Sequence, residues 1–250
     1  MHWQDEGIIV GVRRHGETSA IIELLTRQHG RHLGLVRGGR SQRMQPLLQM
    51  GNEVLADWRA RIEDHLGDYK IEAKAMRAAQ YMSHSSALFA LGHLCGLIRL
   101  LPERDPYEGL YNALQIVLER LCDPRLSAPL IIRFELQILT ELGFGLDLTE
   151  CALTGGHEDL AFVSPKTGRA ASRHAATPWQ DRLLVLPAFL LHVDHGFAPP
   201  NADDLANGFK LTGYFLERHV YGPRGIQEPD SRQSFIAAIF KSLLDQTARP

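Results

Sequence analysis

The chain has 250 residues, 44% of them apolar, which is enough to bury a core in two modest domains of roughly 100 to 200 residues and excludes a disordered chain. Its 27 basic and 29 acidic side chains give a formal net charge of −2, which excludes a uniformly basic polyanion binder. That average conceals one region: Ile9 to Arg43 carries seven arginines against Glu17 and Glu23.

In chain order, Met1 to Glu6 lacks the basic-then-apolar pattern of a signal peptide. Residues 7 to about 75 read as five short strands: Ile8–Val12, Ser19–Thr26, Gly30–Arg37, Asn52–Arg59 and Asp68–Lys74. Five strands with no helices between most of them fit a small closed barrel better than a parallel sheet. The third and fourth strands are joined by a longer basic loop, Gly38 to Arg43, whose two glycines would let the backbone approach a ligand or simply make a tight turn.

After Ala75 the apolar period changes to 3.6 residues. Leu88, Leu91, Leu94 or Cys95, and Ile98 mark one helix ended by Pro102; Tyr107–Leu121 is a second; Ser127–Leu142 is a third, with Ser127 as N-cap and Gly143 as stop. The apolar stretch Ala87–Leu101 is interrupted by Gly92, His93, Gly96 and Arg99, so no membrane span is expected. Residues 151 to 177 read as an irregular segment. Pro199 to Asp204 starts a helix expected to run to Tyr221 before Gly222–Pro223 stops it, and a last amphipathic helix begins near Ser231. The expected fold is α+β, with a barrel domain over 1–78 and a mainly helical domain over 79–250.

Arg13, Arg14, Arg27, Arg31, Arg37, Arg40 and Arg43 fall at strand ends and turns of this barrel, where guanidinium groups can reach phosphate oxygens. Their alternative is a solvated basic face. Only Trp3, Trp58 and Tyr69 are aromatic in the first 75 residues, so phosphate contacts must carry any nucleic-acid affinity, which makes it salt-sensitive and weakly sequence-specific. Trp58 is expected to pack rather than stack on a base.

Catalysis finds little support. His192-Val193-Asp194-His195 is the densest group of potential metal ligands, but it lacks the i, i+4 spacing of a helical zinc pair. Ser172 and His174 are close in sequence without a GxSxG elbow, and no GK[ST] follows Gly34–Gly39. Cys95, Cys122 and Cys151 make neither a disulfide framework nor a CxxC half-site, and a reducing cytoplasm is the natural setting. No cofactor is expected.

Two blocks in the right order resemble the RecO family of bacterial DNA repair mediators. The first runs from Gly7-Ile8-Ile9-Val10 through Gly16-Glu17-Thr18-Ser19 and Thr26-Arg27-Gln28-His29-Gly30 to Arg37-Gly38-Gly39-Arg40; the second is Arg133 to Phe144, RFELQILTELGF, followed by Cys151. The resemblance implies an N-terminal five-stranded OB-fold and a helical C-terminal domain. It implies a non-catalytic role at the nucleoid: binding and annealing single-stranded DNA, with double-stranded DNA left open, engaging RecR and the C-terminal tail of single-strand-binding protein, and helping RecA to load. An acidic, apolar tail calls for a cation beside a hydrophobic pocket, and Arg133 is the candidate, its alternative being an internal ion pair with Glu135 or Glu141. Many family members hold zinc with two cysteine pairs around the middle segment. Here Cys151 stands alone, with Thr154 and Gly155 where its partner would fall and Ala170, Ala171 and Ser172 near the second pair, so no structural zinc is expected. Two other readings stay open: a protein-interaction adaptor whose barrel contacts no DNA, and a metal-dependent hydrolase using His192, Asp194 and His195.

Overall fold

The computed structural model describes residues 1–191 and 200–247, which form two compact units, residues 1–122 and 123–250. The histidine-rich run at 192–195 lies outside the described residues.

In the first unit, β1 (His2–His15), β2 (Ser19–Thr26), β3 (Gly30–Val36), β4 (Glu53–Arg59) and β5 (Asp68–Ala75) close into a barrel in the order β1-β2-β3-β5-β4, an OB-like arrangement. The first strand is much longer than the apolar run Ile8–Val12 suggests. Its polar start pairs with β4, from His2 opposite Arg59 to Ile8 opposite Glu53, and its far end pairs with β2 alone, with an irregularity between Ile9 and Gly11 where the strand changes partner. One strand serving two neighbours in turn is what curls the sheet.

Inward-pointing Ile9, Ile22, Leu24, Val54, Ala56 and Tyr69 fill the barrel with Trp58, which is buried and donates its indole N–H to the Leu66 carbonyl at 3.0 Å. Gly34 lets β3 lie against the Tyr69 ring, since a Cβ there would sit 2.2 Å from it. Trp3 is stacked at 4.1 Å on His29 and at 5.5 Å on Trp58, so it belongs to this packing.

Helices α1 (Ala78–Tyr81), α2 (Ser85–Ile98) and α3 (Glu108–Glu119) pack in the same compact unit as the barrel. The physical reason is Glu53. This buried β4 carboxylate accepts hydrogen bonds from Arg77 and Tyr111 at 3.0 and 3.1 Å and pairs with Lys74 at 2.8 Å, tying strand to helices. Burial pushes its pKa up, but these bonds outweigh burial and hold it below the ordinary range.

The second unit is organised around α4 (Pro124–Glu141), whose Ile131, Ile132, Phe134, Ile138 and Leu139 are buried. It starts earlier than expected: Asp123, not Ser127, is the N-cap, accepting from the Arg125 N–H at 2.9 Å ahead of Pro124, and Ser127 is buried one turn inside. Gly143, with φ of 86°, ends it as expected.

The segment read as irregular holds β6 (Leu160–Val163), β7 (Ala170–Ser172) and the one-turn helix α5 (Arg173–Ala176), and β8 (Leu184–Val185) just beyond it completes a small sheet ordered β7-β6-β8. Strands this short carry no readable alternation. Helix α6 (Ala202–Leu216) opens on a capping box between Asn201 and Asp204. Gly222–Pro223 does not stop the helical path. The chain passes through a π-turn at Glu217–Tyr221 into α7 (Gly222–Arg224), because proline is tolerated in a first turn, and Gly225 in the left-handed region ends it. Helix α8 (Asp230–Thr247) closes the unit. Buried Arg232 on α8 donates to the Glu135 carboxylate of α4 at 2.7 Å and to Thr212 of α6 at 3.1 Å, joining three helices.

Candidate nucleic-acid interface

Beyond Gly11, no strand among the described residues pairs with the outer side of β1, so it presents a free strand edge. The register places Val12 opposite Ile22 and Arg14 opposite Ala20 on the inner face of the β1–β2 hairpin, while Arg13 opposite Ile21 lies on the outer face. Arg13 and Arg14 therefore flank the edge from opposite sides.

The loop from Arg37 to Gly51 folds back against this edge. Gly51 N–H donates to the Ile9 carbonyl and Ile9 N–H to the Asn52 carbonyl, both at 2.9 Å, and the Asn52 side chain donates to the carbonyls of Pro46 and Leu47. At the loop's other end, Arg40 N–H donates to the Thr18 carbonyl at 3.0 Å and its guanidinium to the Gly16 carbonyl at 2.9 Å. Arg40 is thereby held beside Arg14.

Two concavities lie along the edge. One, of about 530 Å³, is bordered by Arg14, Arg40, Gln45 and Gln49; the other, of about 350 Å³, is bordered by Arg13, Arg31, Arg99 and Glu23; Val12 and Met50 line both. Two guanidinium groups border the first and three the second, where Glu23 supplies the carboxylate. Glu23 is almost fully buried and bonded by Arg31 and, at 2.9 Å, by Arg99. That pairing consumes one negative charge and leaves the surface positive.

The seven expected arginines do not behave alike. Arg13, Arg14 and Arg43 are exposed and make no ion pair among the described residues. Arg31 and Arg27 instead have partners within the chain. Arg31 also pairs with Glu103 at 3.4 Å and donates to the Leu101 carbonyl at 2.9 Å. Arg27 donates to Asn112 at 3.0 Å, lies 3.8 Å from both Glu6 and Glu108, and sits over the Tyr111 ring. Arg37 is exposed but makes a two-pronged pair with Asp68, both bonds at 3.0 Å, beside a different concavity with Arg59 and Lys70. Convergence along one side is therefore limited to a subset, for a local reason: Glu6, Glu23 and Asp68 of the barrel strands, with Glu103 and Glu108 from beyond the barrel, engage the other arginines.

Arg99 was not singled out in the sequence. It occupies the C-cap of α2 and reads there as an ordinary helix-end cation; only the packing of α2 against β1 brings it to the edge.

In the second unit, half-buried Arg133 donates to the Phe189 carbonyl, and burial lowers its pKa. Glu135, a suggested partner for it, is taken by Arg232 instead. Around Cys151 the residues do not fit zinc. The sulfur accepts from Ser172 N–H at 3.2 Å and lies 3.5 Å from the Ser172 hydroxyl, so one thiol faces hydroxyls where four thiolates would be needed. Burial raises its pKa, but the bonds from Ser172 and Thr154 more than offset this and bring it to about 6. Among the described residues no cluster of His, Cys, Asp and Glu could hold a metal ion, and no helix is long and apolar enough to cross a membrane.

Comparison with known proteins agrees over nearly the whole length. Residues 1–77 match the family model described as Recombination protein O N terminal, and residues 82–226 match Recombination protein O C terminal. The chain is 56% identical to the DNA repair protein RecO of Rhodopseudomonas palustris over 97% of this chain and 98% of that one. It is 54% identical to that of Afipia carboxidovorans over 97% of each, and 50% identical to that of Chelativorans sp. over the full length of both. With both family models matched in order onto an OB-like barrel and a helical unit, this chain belongs to the RecO family.

Proposed function

We propose that this protein is a non-catalytic DNA repair mediator that binds single-stranded DNA along the free edge of β1, promotes annealing, and with RecR helps RecA to load. The observation that carries this reading is a pair of adjoining concavities along that edge of an OB-like barrel, one bordered by Arg14 and Arg40 and the other by Arg13, Arg31 and Arg99. Guanidinium groups on a strand edge hold a sugar–phosphate backbone and leave bases free to pair with a complement. Arg43 is exposed on the same loop as Arg40, and Arg37, beside a separate concavity, meets a longer strand by exchanging Asp68 for a phosphate.

Engagement of RecR and of the acidic tail of single-strand-binding protein accompanies this role, with Arg133 as the cation for the tail. Its helix is apolar on the buried side, and the carbonyl that it holds, that of Phe189, fixes the guanidinium in place.

The test is a salt series. Affinity for an oligonucleotide should fall steeply with salt, and replacing Arg13, Arg14 and Arg40 together by alanine should lower the slope of log K against log salt by about 2 for a single strand. Weakening should be the same for every sequence. Unchanged binding and slope in the triple variant would remove the assignment to this edge.

A further inference from the structure

The arginines account for phosphate but not for what lies between them. Val12 is 41% exposed and Met50 40% exposed, and these two apolar side chains are shared by both concavities, so they form a ledge across the free edge with cations on either side. Both are backed by buried apolar groups, Ile22 across the hairpin from Val12 and Leu48 two residues before Met50. An apolar ledge framed by charge is a contact surface.

We infer that this ledge receives the base faces of an unpaired strand, making Val12 and Met50 the residues by which the edge prefers single-stranded over double-stranded DNA. The inference rests on the polyanion assignment above. Charge complementarity selects the occupant: five arginines border the two concavities, and Glu23 is already paired with Arg31 and Arg99, so an acidic polymer is favoured over a neutral apolar peptide. In a duplex the base faces are stacked inside and phosphates line the outside, so the ledge would meet only sugar and phosphate. An unpaired strand can hold its phosphates on Arg13 and Arg99 on one side and on Arg14 and Arg40 on the other, and lay a base over the ledge between them.

Methionine suits this role. Its thioether is polarizable and makes favourable contacts with aromatic rings, and its flexible chain adapts to any base, which gives strand preference without sequence preference. Such a contact takes the place of the aromatic platform that this barrel lacks, Trp3 being already stacked on His29 and Trp58.

Val12→Thr keeps size and β-strand compatibility, and Met50→Gln keeps size on the loop, while both remove apolar surface at exposed positions. Binding of the full chain to a fluorescein-labelled oligothymidylate and to a blunt duplex of equal length is measured at constant salt, beside Arg14→Ala/Arg40→Ala and the conservative Val12→Ile/Met50→Leu. The expected result is an approximately tenfold loss for the single strand with V12T/M50Q, little change for the duplex, retained affinity with V12I/M50L, and loss on both substrates with the arginine pair. Equal loss on both substrates, or no loss on either while the arginine pair still weakens binding, overturns the role of the ledge and leaves the polyanion edge standing. No effect from any variant overturns both.

Discussion

Arg14 and Arg232 are the same side chain in opposite circumstances. On the barrel, Arg14 is exposed and makes no ion pair among the described residues; in the helical unit, Arg232 is 3% exposed and bonded to Glu135, Glu228, Thr212 and the Phe209 carbonyl. The difference teaches that an arginine's role is set by the carboxylates the fold brings to it. Charge density along the chain can nominate a surface, but only tertiary neighbours decide which cations remain available.

The largest effect should come from breaking the buried partnership. Arg232→Ala leaves Glu135 charged and dry between three helices, which should lower stability by about 3 to 5 kcal/mol in urea unfolding. The joint change Glu135→Leu/Arg232→Met should cost far less, because it removes both charges and keeps the volume. If R232A costs no more than an exposed arginine, the two arginine classes are not energetically distinct.

This contrast also shows what could be read from the residues alone. The barrel was legible because short apolar runs are separated by turn residues with few helices between them, which pointed to a small closed barrel, while its OB-like form came from the family resemblance. The length of β1 was not, since His2 to Glu6 are mostly polar and become strand only by pairing with β4. At the edge, Arg13, Arg14, Arg40 and Arg43 were legible as a basic cluster. The capture of Arg27 and Arg31 was not, because Glu103 and Glu108 lie some 75 residues away in sequence. Arg99, Val12 and Met50 were missed for a similar reason: each is unremarkable until α2 and the 37–51 loop fold back on β1.

A smaller effect separates the barrel interior from its surface. His32 is buried in the barrel with Nδ1 at 3.1 Å from the Tyr69 hydroxyl, and burial, aided by Arg104, lowers its pKa to about 4. The unfolded chain then binds a proton that the folded chain refuses between about pH 6.5 and 4. Stability contributed by neutral His32 is complete above that window and is lost as pH falls through it. The urea midpoint of the wild type should therefore drop more steeply with acid than that of His32→Gln, by up to about one proton's worth of slope. Identical slopes would mean that His32 is not shielded by the barrel.

The smallest effect tests the rule at its most delicate point, an exposed arginine with a carboxylate that it can give up. Arg37 and Asp68 are both largely solvent-exposed, so their pair adds little to stability, and Asp68→Asn should shift the unfolding midpoint barely at all. Binding should respond instead. Freed from Asp68, Arg37 can offer its guanidinium to a phosphate without first breaking two bonds, so D68N should tighten single-strand binding by about twofold to fivefold at low salt, with the gain fading as salt rises. Arg37→Ala should weaken binding less than Arg14→Ala does, because Arg14 has no such bonds to lose. If R37A and R14A weaken binding equally and D68N changes nothing, a carboxylate neighbour does not hold an exposed arginine back, and the division between available and engaged cations applies only where the pair is buried.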